Sequence, residues 1–258
     1  MLAATHESRP AQWPDLVAEL DLWAASGRQA AFWWRDDDAT RPGPALDRLV
    51  SVAEGIPLSL AVIPAGATPE LASFVDGVPG TAVLQHGYAH ANHAPPGVKK
   101  AEFGAHRPLP AMLAEITAGR ERLAGLFGSR FLPVFVPPWN RVADSVAGAL
   151  RTCGIGWIST FGRRRDRAGI PGRNCHIDII DWRGSHAFLG TAPVLETLLS
   201  LLGDLRREQP QCCEPVGILT HHRDHDTAGW QFLAQLASVV RDHPGAIWLP
   251  VQGGYVAN

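Results

Sequence analysis

An apolar run near the start of the chain ends in three consecutive aspartates, Phe32-Trp33-Trp34-Arg35-Asp36-Asp37-Asp38. Carboxylates beside a buried strand are costly unless they pair with a cation or hold a metal, and Arg35 is the one cation within the run. The acids therefore point to a cation site or a general base. The segment His86-Gly87-Tyr88-Ala89-His90 then supplies two imidazoles four positions apart. One carboxylate with two histidines is a common ligand set for a catalytic zinc that keeps a coordination position open.

The elements that must position these groups follow from periodicity. Strand-like runs at 31–35, 58–63, 82–85, 133–136, 156–159, 176–180, 216–220 and 246–251 alternate with helix-like runs at 44–53, 69–74, 109–127, 145–151, 192–207 and 230–242. The run 109–127 is the clearest, with Met112, Leu113, Ile116, Leu123 and Leu126 at helical spacing. A further helix over 14–25 precedes them all and stops at Gly27. Sustained strand–helix alternation requires a parallel sheet, and seven or eight repeats in 258 residues favour a barrel. No glycine-rich phosphate loop follows the first strand, which disfavours a dinucleotide fold.

The polar residues fall at matching places. Asp37 and Asp38 follow the first strand, His86 and His90 the third, and Pro137-Pro138-Trp139-Asn140 the fourth. Asp181-Trp182 closes the sixth and His221-His222 the seventh. In a parallel barrel those ends meet on one face, where the active sites of such folds are built. Taken singly, each has a plainer explanation: aspartates cap helices and turns, two histidines can share a surface turn, and the run His221-His222-Arg223-Asp224-His225-Asp226 can be a solvated loop. Their coincidence at corresponding strand ends is what those explanations leave unaccounted for.

Bulk properties narrow the class. Hydrophobic content of 46% and charged content of 19% describe a globular chain with ample core, expected as a single domain over 1–258 with 1–30 as an N-terminal helical extension. A net charge of −2 argues against a nucleic-acid surface, and Arg163-Arg164-Arg165, followed by Asp166, reads as a solvated loop. Cys153, Cys175, Cys212 and Cys213 lack the paired spacing of a zinc site, and adjacent Cys212 and Cys213 are not expected to bridge each other. With neither a signal-peptide pattern at the start nor a membrane-spanning run, the expectation is a reduced, cytoplasmic protein that binds no membrane.

These residues resemble the polysaccharide deacetylase (NodB-like) superfamily of carbohydrate esterases. Asp37-Asp38-Ala39 looks like its acidic first motif, and His86-Gly87-Tyr88-Ala89-His90 like its histidine pair. Pro138-Trp139 resembles its third motif, Asp178-Ile179-Ile180-Asp181-Trp182 its fourth and Leu219-Thr220-His221 its fifth. The motifs stand in family order over residues 37 to 221. One departure is Val136, where the family usually carries an arginine; Arg35 and Arg141 are the candidates to replace it. His93 and His222 are additional histidines that could join or replace the matched ones.

The resemblance implies a distorted (β/α) barrel of about seven strands with a divalent metal at its mouth, zinc first, cobalt or manganese as alternatives. Asp38, His86 and His90 would be its ligands, Asp37 the general base, and His221 the acid, with Asp181 orienting its ring. A backbone N–H near Trp139 would serve the oxyanion, and Pro138, Trp139 and Trp182 would wall the substrate. The implied activity is removal of an N-acyl group, acetyl first, from an amino-sugar-type substrate. A metal-dependent amidohydrolase acting on a non-sugar amide and a non-catalytic carbohydrate-binding barrel are the alternatives. Glu102-Phe103-Gly104 reads as a lid over the mouth or as a lead into the long helix.

Overall fold

The computed structural model describes residues 9–164, 169–209 and 214–253; Cys212, Cys213 and the Arg165-Asp166 end of the basic run lie outside them. Eight strands form one parallel sheet: β1 (Ala30–Ala39), β2 (Leu58–Val62), β3 (Thr81–His86), β4 (Phe131–Val136), β5 (Trp157–Ile158), β6 (Ile177–Asp178), β7 (Val216–Thr220) and β8 (Ala246–Trp248). Their order is β5-β4-β3-β2-β1-β7-β6, with β8 beside the start of β1. Parallel bridges Ile158–Gly172 and Phe161–Cys175 tie the chain leading into β6 to the residues at and beyond β5, so the sheet curls into the distorted barrel expected. The strands come from short apolar runs whose two faces are both covered; β2 and β7 are buried at every position.

Among the described residues seven α-helices flank the sheet: α1 (Trp13–Ala25), α2 (Pro44–Val52), α3 (Pro69–Asp76), α4 (Leu109–Phe127), α5 (Asp144–Ala149), α6 (Thr191–Arg207) and α7 (Thr227–Asp242). α4 buries Met112, Ile116, Leu123 and Phe127 at helical spacing and stops at Gly128, whose φ of 51° suits a residue without a Cβ. Thr68 Oγ1 accepts from Leu71 N at the start of α3, and the Asp226 carboxylate accepts from Gly229 N at the start of α7. α1 buries Leu16, Leu20 and Trp23 in the main core. Among the described residues no helix is long and apolar enough to cross a membrane.

Alternation along β1 sorts its side chains. Phe32 and Trp34 join the core between sheet and helices, whereas Trp33 joins an inner core with Ala61, Leu84, Val134, Val136, Cys175 and Leu219. Each buried aromatic removes roughly 150–250 Å² from water, worth about 4–6 kcal/mol before entropy. Burial on that scale lets the same strand carry Arg35, Asp36 and Asp37 almost wholly out of solvent. Burial also pushes the Cys175 thiol up to about 12, so this inner cysteine holds no thiolate near neutrality.

Candidate active site and metal centre

The sequence reading ends the first strand at Arg35; it continues to Ala39 and bulges. Asp36 pairs with Leu60 and Ala39 with Val62, leaving Asp37 and Asp38 opposite Ala61 alone. In a regular strand those two neighbours would face opposite sides; the bulge, with Asp38 at φ 72°, brings both to the mouth. The mouth is a cleft of about 490 Å³ lined by Asp37, Asp38, His86, His90, Trp139 and Trp182 together with Asp178, His186, His221, Lys100, Asn140, Arg141 and Asp224. All five non-glycine residues with positive φ among those described, Asp38, His90, Trp139, Asn140 and His186, line it. Such conformations cost of order 1–3 kcal/mol each and persist where the surroundings hold them.

Asp38 Oδ1 lies 3.1 Å from His86 Nε2 and 3.4 Å from His90 Nε2. One ligand atom from each of the three residues lies within 4.8 Å of the other two. His86 Nδ1 sits 3.0 Å from the carbonyl of Val136, which can only accept, so Nδ1 carries the proton. In the neutral ring Nε2 then turns a lone pair toward Asp38 Oδ1, itself buried without a hydrogen-bond donor among the described residues. Acceptors converging on one point with nothing between them fit a cation, and the second-shell carbonyl on His86 is how ligating imidazoles are usually oriented. Burial opposes charge on all three. Where the His86 ring is charged, its hydrogen bond and charge override burial and hold Asp38 well below the usual carboxylate range. Asp37 and then Asp38 override it at His86, whose pKa rises, whereas burial and the His86 charge lower that of His90.

Asp37 is held by Arg35 from its own strand. Arg35 Nη2 donates to Asp37 Oδ2 at 3.0 Å and Nε lies 2.8 Å from Oδ1 as an ion pair. The guanidinium also donates to Ser159 Oγ at 2.7 Å and Asn140 Oδ1 at 2.9 Å. Arg35 is thus the guanidinium that meets Asp37, while Arg141 is exposed and donates to the Lys100 carbonyl. Asp37 Oδ1 accepts no well-aligned hydrogen bond among the described residues and keeps capacity for a proton.

Several expected residues are placed elsewhere. Asp181 does not line the cleft; its carboxylate accepts from the N–H groups of Arg183, Gly184 and Ser185 and closes a turn. The fourth-motif carboxylate that shares the cleft with His221 is Asp178, which accepts from Trp182 Nε1 at 2.8 Å and from Ile180 N at 3.1 Å. Burial raises the Asp178 pKa. Pro138 is buried, packed so closely under Gly87 that a Cβ there would meet it at 2.6 Å, and so is no part of the cleft wall. Trp139 does line it, 4.5 Å from the His90 ring, as does Trp182, 4.8 Å from the His221 ring. His93 is exposed outside the cleft, and His222 faces the other side of the sheet, bonded to Asp36.

Glu102 is neither lid nor lead. It is 1% exposed, and its carboxylate accepts from Ala89 N at 2.7 Å and Tyr88 N at 3.2 Å, the two peptides that carry the chain from Gly87 to His90. Its neighbour Phe103 accepts from Ala143 N, tying the same segment to the loop beyond Trp139. No spacing rule marks Glu102, because its partners are backbone groups.

The fold is that of the polysaccharide deacetylases. It matches a putative polysaccharide deacetylase from Mycobacterium smegmatis with a TM-score of 0.65 at 14% identity, over 94% of this chain and 91% of that one. A family 4 carbohydrate esterase from Streptomyces lividans, in complex with acetate, matches at TM-score 0.55 and 16% identity over 87% and 95% of the two chains. A family 4 acetyl xylan esterase from Clostridium thermocellum, in complex with a cobalt ion, matches at 0.51 and 11% over 83% and 85%. No family model matches the sequence. Nor does any curated protein sequence.

Proposed function

We propose that the protein is a metal-dependent deacylase that hydrolyses an N-acyl group, acetyl first, from an amino-sugar-type substrate. The observation that carries this is the convergence of Asp38 Oδ1 and two imidazole nitrogens beside a carboxylate held by its own arginine. The acetate and cobalt bound by the structurally similar esterases support the reading. Asp38, His86 and His90 would hold one divalent cation, zinc first and cobalt or manganese as alternatives, which when bound polarises the acyl carbonyl and acidifies water.

The remaining steps belong to the chain. Asp37, oriented by Arg35, takes the proton of the attacking water on its carboxylate. A backbone N–H beside Trp139 donates to the acyl oxygen as charge develops there. His221 gives a proton to the departing amine, and Asp178, not Asp181, is the carboxylate whose charge steadies the imidazolium. Trp139 and Trp182 flank the reacting group with flat apolar faces. Water and amide are thereby converted to a carboxylic acid and an amine with no group left over.

Metal analysis of purified protein beside a His86→Ala/His90→Ala double variant tests this directly. About one equivalent of divalent metal is expected in the wild type and none in the variant. The same wild type should release acetate from N-acetylated sugars. A wild type that takes up neither zinc, cobalt nor manganese would sink the proposal.

A further inference from the structure

The two long walls of the cleft differ in charge. On the Trp182 side stand Asp178, which accepts from Trp182 Nε1, the rings of His221 and His186, and Asp224, whose N–H donates to the His221 carbonyl. The wall with Trp139 carries Lys100 and Arg141. Lys100 Nζ stands 6.0 Å over the Trp139 ring, which in turn lies 4.5 Å from the ring of His90. Arg141 Nη1 donates at 2.8 Å to the backbone carbonyl of Lys100, so its guanidinium is tethered to the segment that carries the second cation. Neither residue forms an ion pair with an acid among the described residues. Other arginines divide between ion pairs, such as Arg107 with Glu115 and Arg206 with Glu19, and backbone carbonyl contacts, such as those of Arg122 and Arg151; what sets Lys100 and Arg141 apart is that both line the cleft.

Two like charges lining one cleft, with no counter-charge paired to either, raise the local potential, and a concave low-dielectric wall focuses it. The neighbouring acids do not cancel it. Asp37 is already matched by Arg35, and Asp38 is the carboxylate turned toward the two histidines. A cation held by Asp38 and two neutral imidazoles would leave that end of the cleft more positive still.

We infer that Lys100 and Arg141 select a substrate bearing an oxyanion, a carboxylate or phosphate, within reach of the acyl group on the Trp139 side. This rests on the deacylase reading and sharpens it: an acidic N-acylated small molecule is preferred over a neutral glycan. Lys100 supplies a mobile point charge, and Arg141, steadied by the Lys100 carbonyl, keeps donors free for the anion.

Hydroxamates, which chelate a metal through one end, separate the two layers of the argument. Zinc-loaded protein is titrated with neutral acetohydroxamate and with the monohydroxamates of succinate and glutarate. At low ionic strength the better of the two carboxylated probes should bind about 5- to 30-fold more tightly than the neutral one, the range two exposed charge contacts supply. Raising the salt should shrink that advantage. Lys100→Ala/Arg141→Ala should abolish it, and Lys100→Arg should retain it. Equal affinity for neutral and anionic probes, or a preference that survives in the double alanine variant, overturns the assignment while leaving the metal site standing. Zinc retention with no hydroxamate binding also overturns it. Failure to retain zinc removes the underlying deacylase reading as well.

Discussion

β1 carries two aspartate–histidine pairs two residues apart, one on each face of the sheet, and they are built on opposite principles. On the outer face Asp36 is completely enclosed: Oδ2 accepts from Thr220 Oγ1 at 2.6 Å and His222 N at 2.9 Å, while Oδ1 faces His222 Nδ1. The Thr220 hydroxyl in turn accepts from Trp34 Nε1. On the inner face Asp38 sits at φ 72°, its Oδ1 turned toward two histidines without a hydrogen-bond donor. The same two residue types thus make a satisfied, unstrained pair where the helices cover it and an unsatisfied, strained one where it meets the cleft. Residue identity does not separate structure from site here; hydrogen-bond satisfaction and backbone strain do.

Matched substitutions break this comparison most visibly. Asp36→Asn should lower unfolding free energy by about 3 kcal/mol, because an amide nitrogen would face the donors that Asp36 now satisfies. Asp38→Asn should leave it within about 1 kcal/mol, since asparagine tolerates positive φ and no buried donor loses its partner. Metal retention should show the reverse pattern, kept in the first variant and lost in the second. Urea unfolding beside metal analysis reads both, and equal destabilisation by the two changes would dissolve the distinction.

A smaller effect tests how far the inner pair depends on its support. Glu102→Gln keeps shape but cannot accept from both Tyr88 N and Ala89 N, so zinc affinity by chelator competition should weaken about 10- to 100-fold, as for other outer-shell partners. Unchanged affinity would reduce Glu102 to packing. The smallest effect is the pH dependence of the outer pair. Burial disfavours the charged His222 ring, but Asp36 overrides this and raises its pKa above the ordinary value. Such a group stabilises the fold fully below about pH 6.5, the unfolded value, and loses that contribution as pH rises through the raised folded one. Relative to His222→Gln, the wild type should therefore lose urea resistance on the alkaline side; a loss on the acidic side would contradict the pairing.

Much of this arrangement was legible in the sequence, for reasons particular residues make plain. The strand ends carrying Asp37, His86, Trp139 and His221 were readable because apolar runs of strand length recur with helical spacing between them. Arg35 was readable only as one of two candidates beside Arg141, because sequence alone does not fix which guanidinium reaches Asp37. The bulge was not: without a glycine or proline to mark it, periodicity assigns Asp37 and Asp38 to opposite sides. The choice between Asp178 and Asp181 was equally hidden. β6 is two residues long, and whether a carboxylate enters the cleft or closes a turn depends on where that short strand stops.

The clustering of positive-φ residues around the cleft has a practical consequence for anyone engineering this protein. Asp38, His90, Trp139, Asn140 and His186 are where a design guided by backbone preference would first install glycine. Each such change would relax the local backbone conformation. Each would also delete a side chain from the cleft, so the positions most inviting to a stability screen are those a functional screen must exempt.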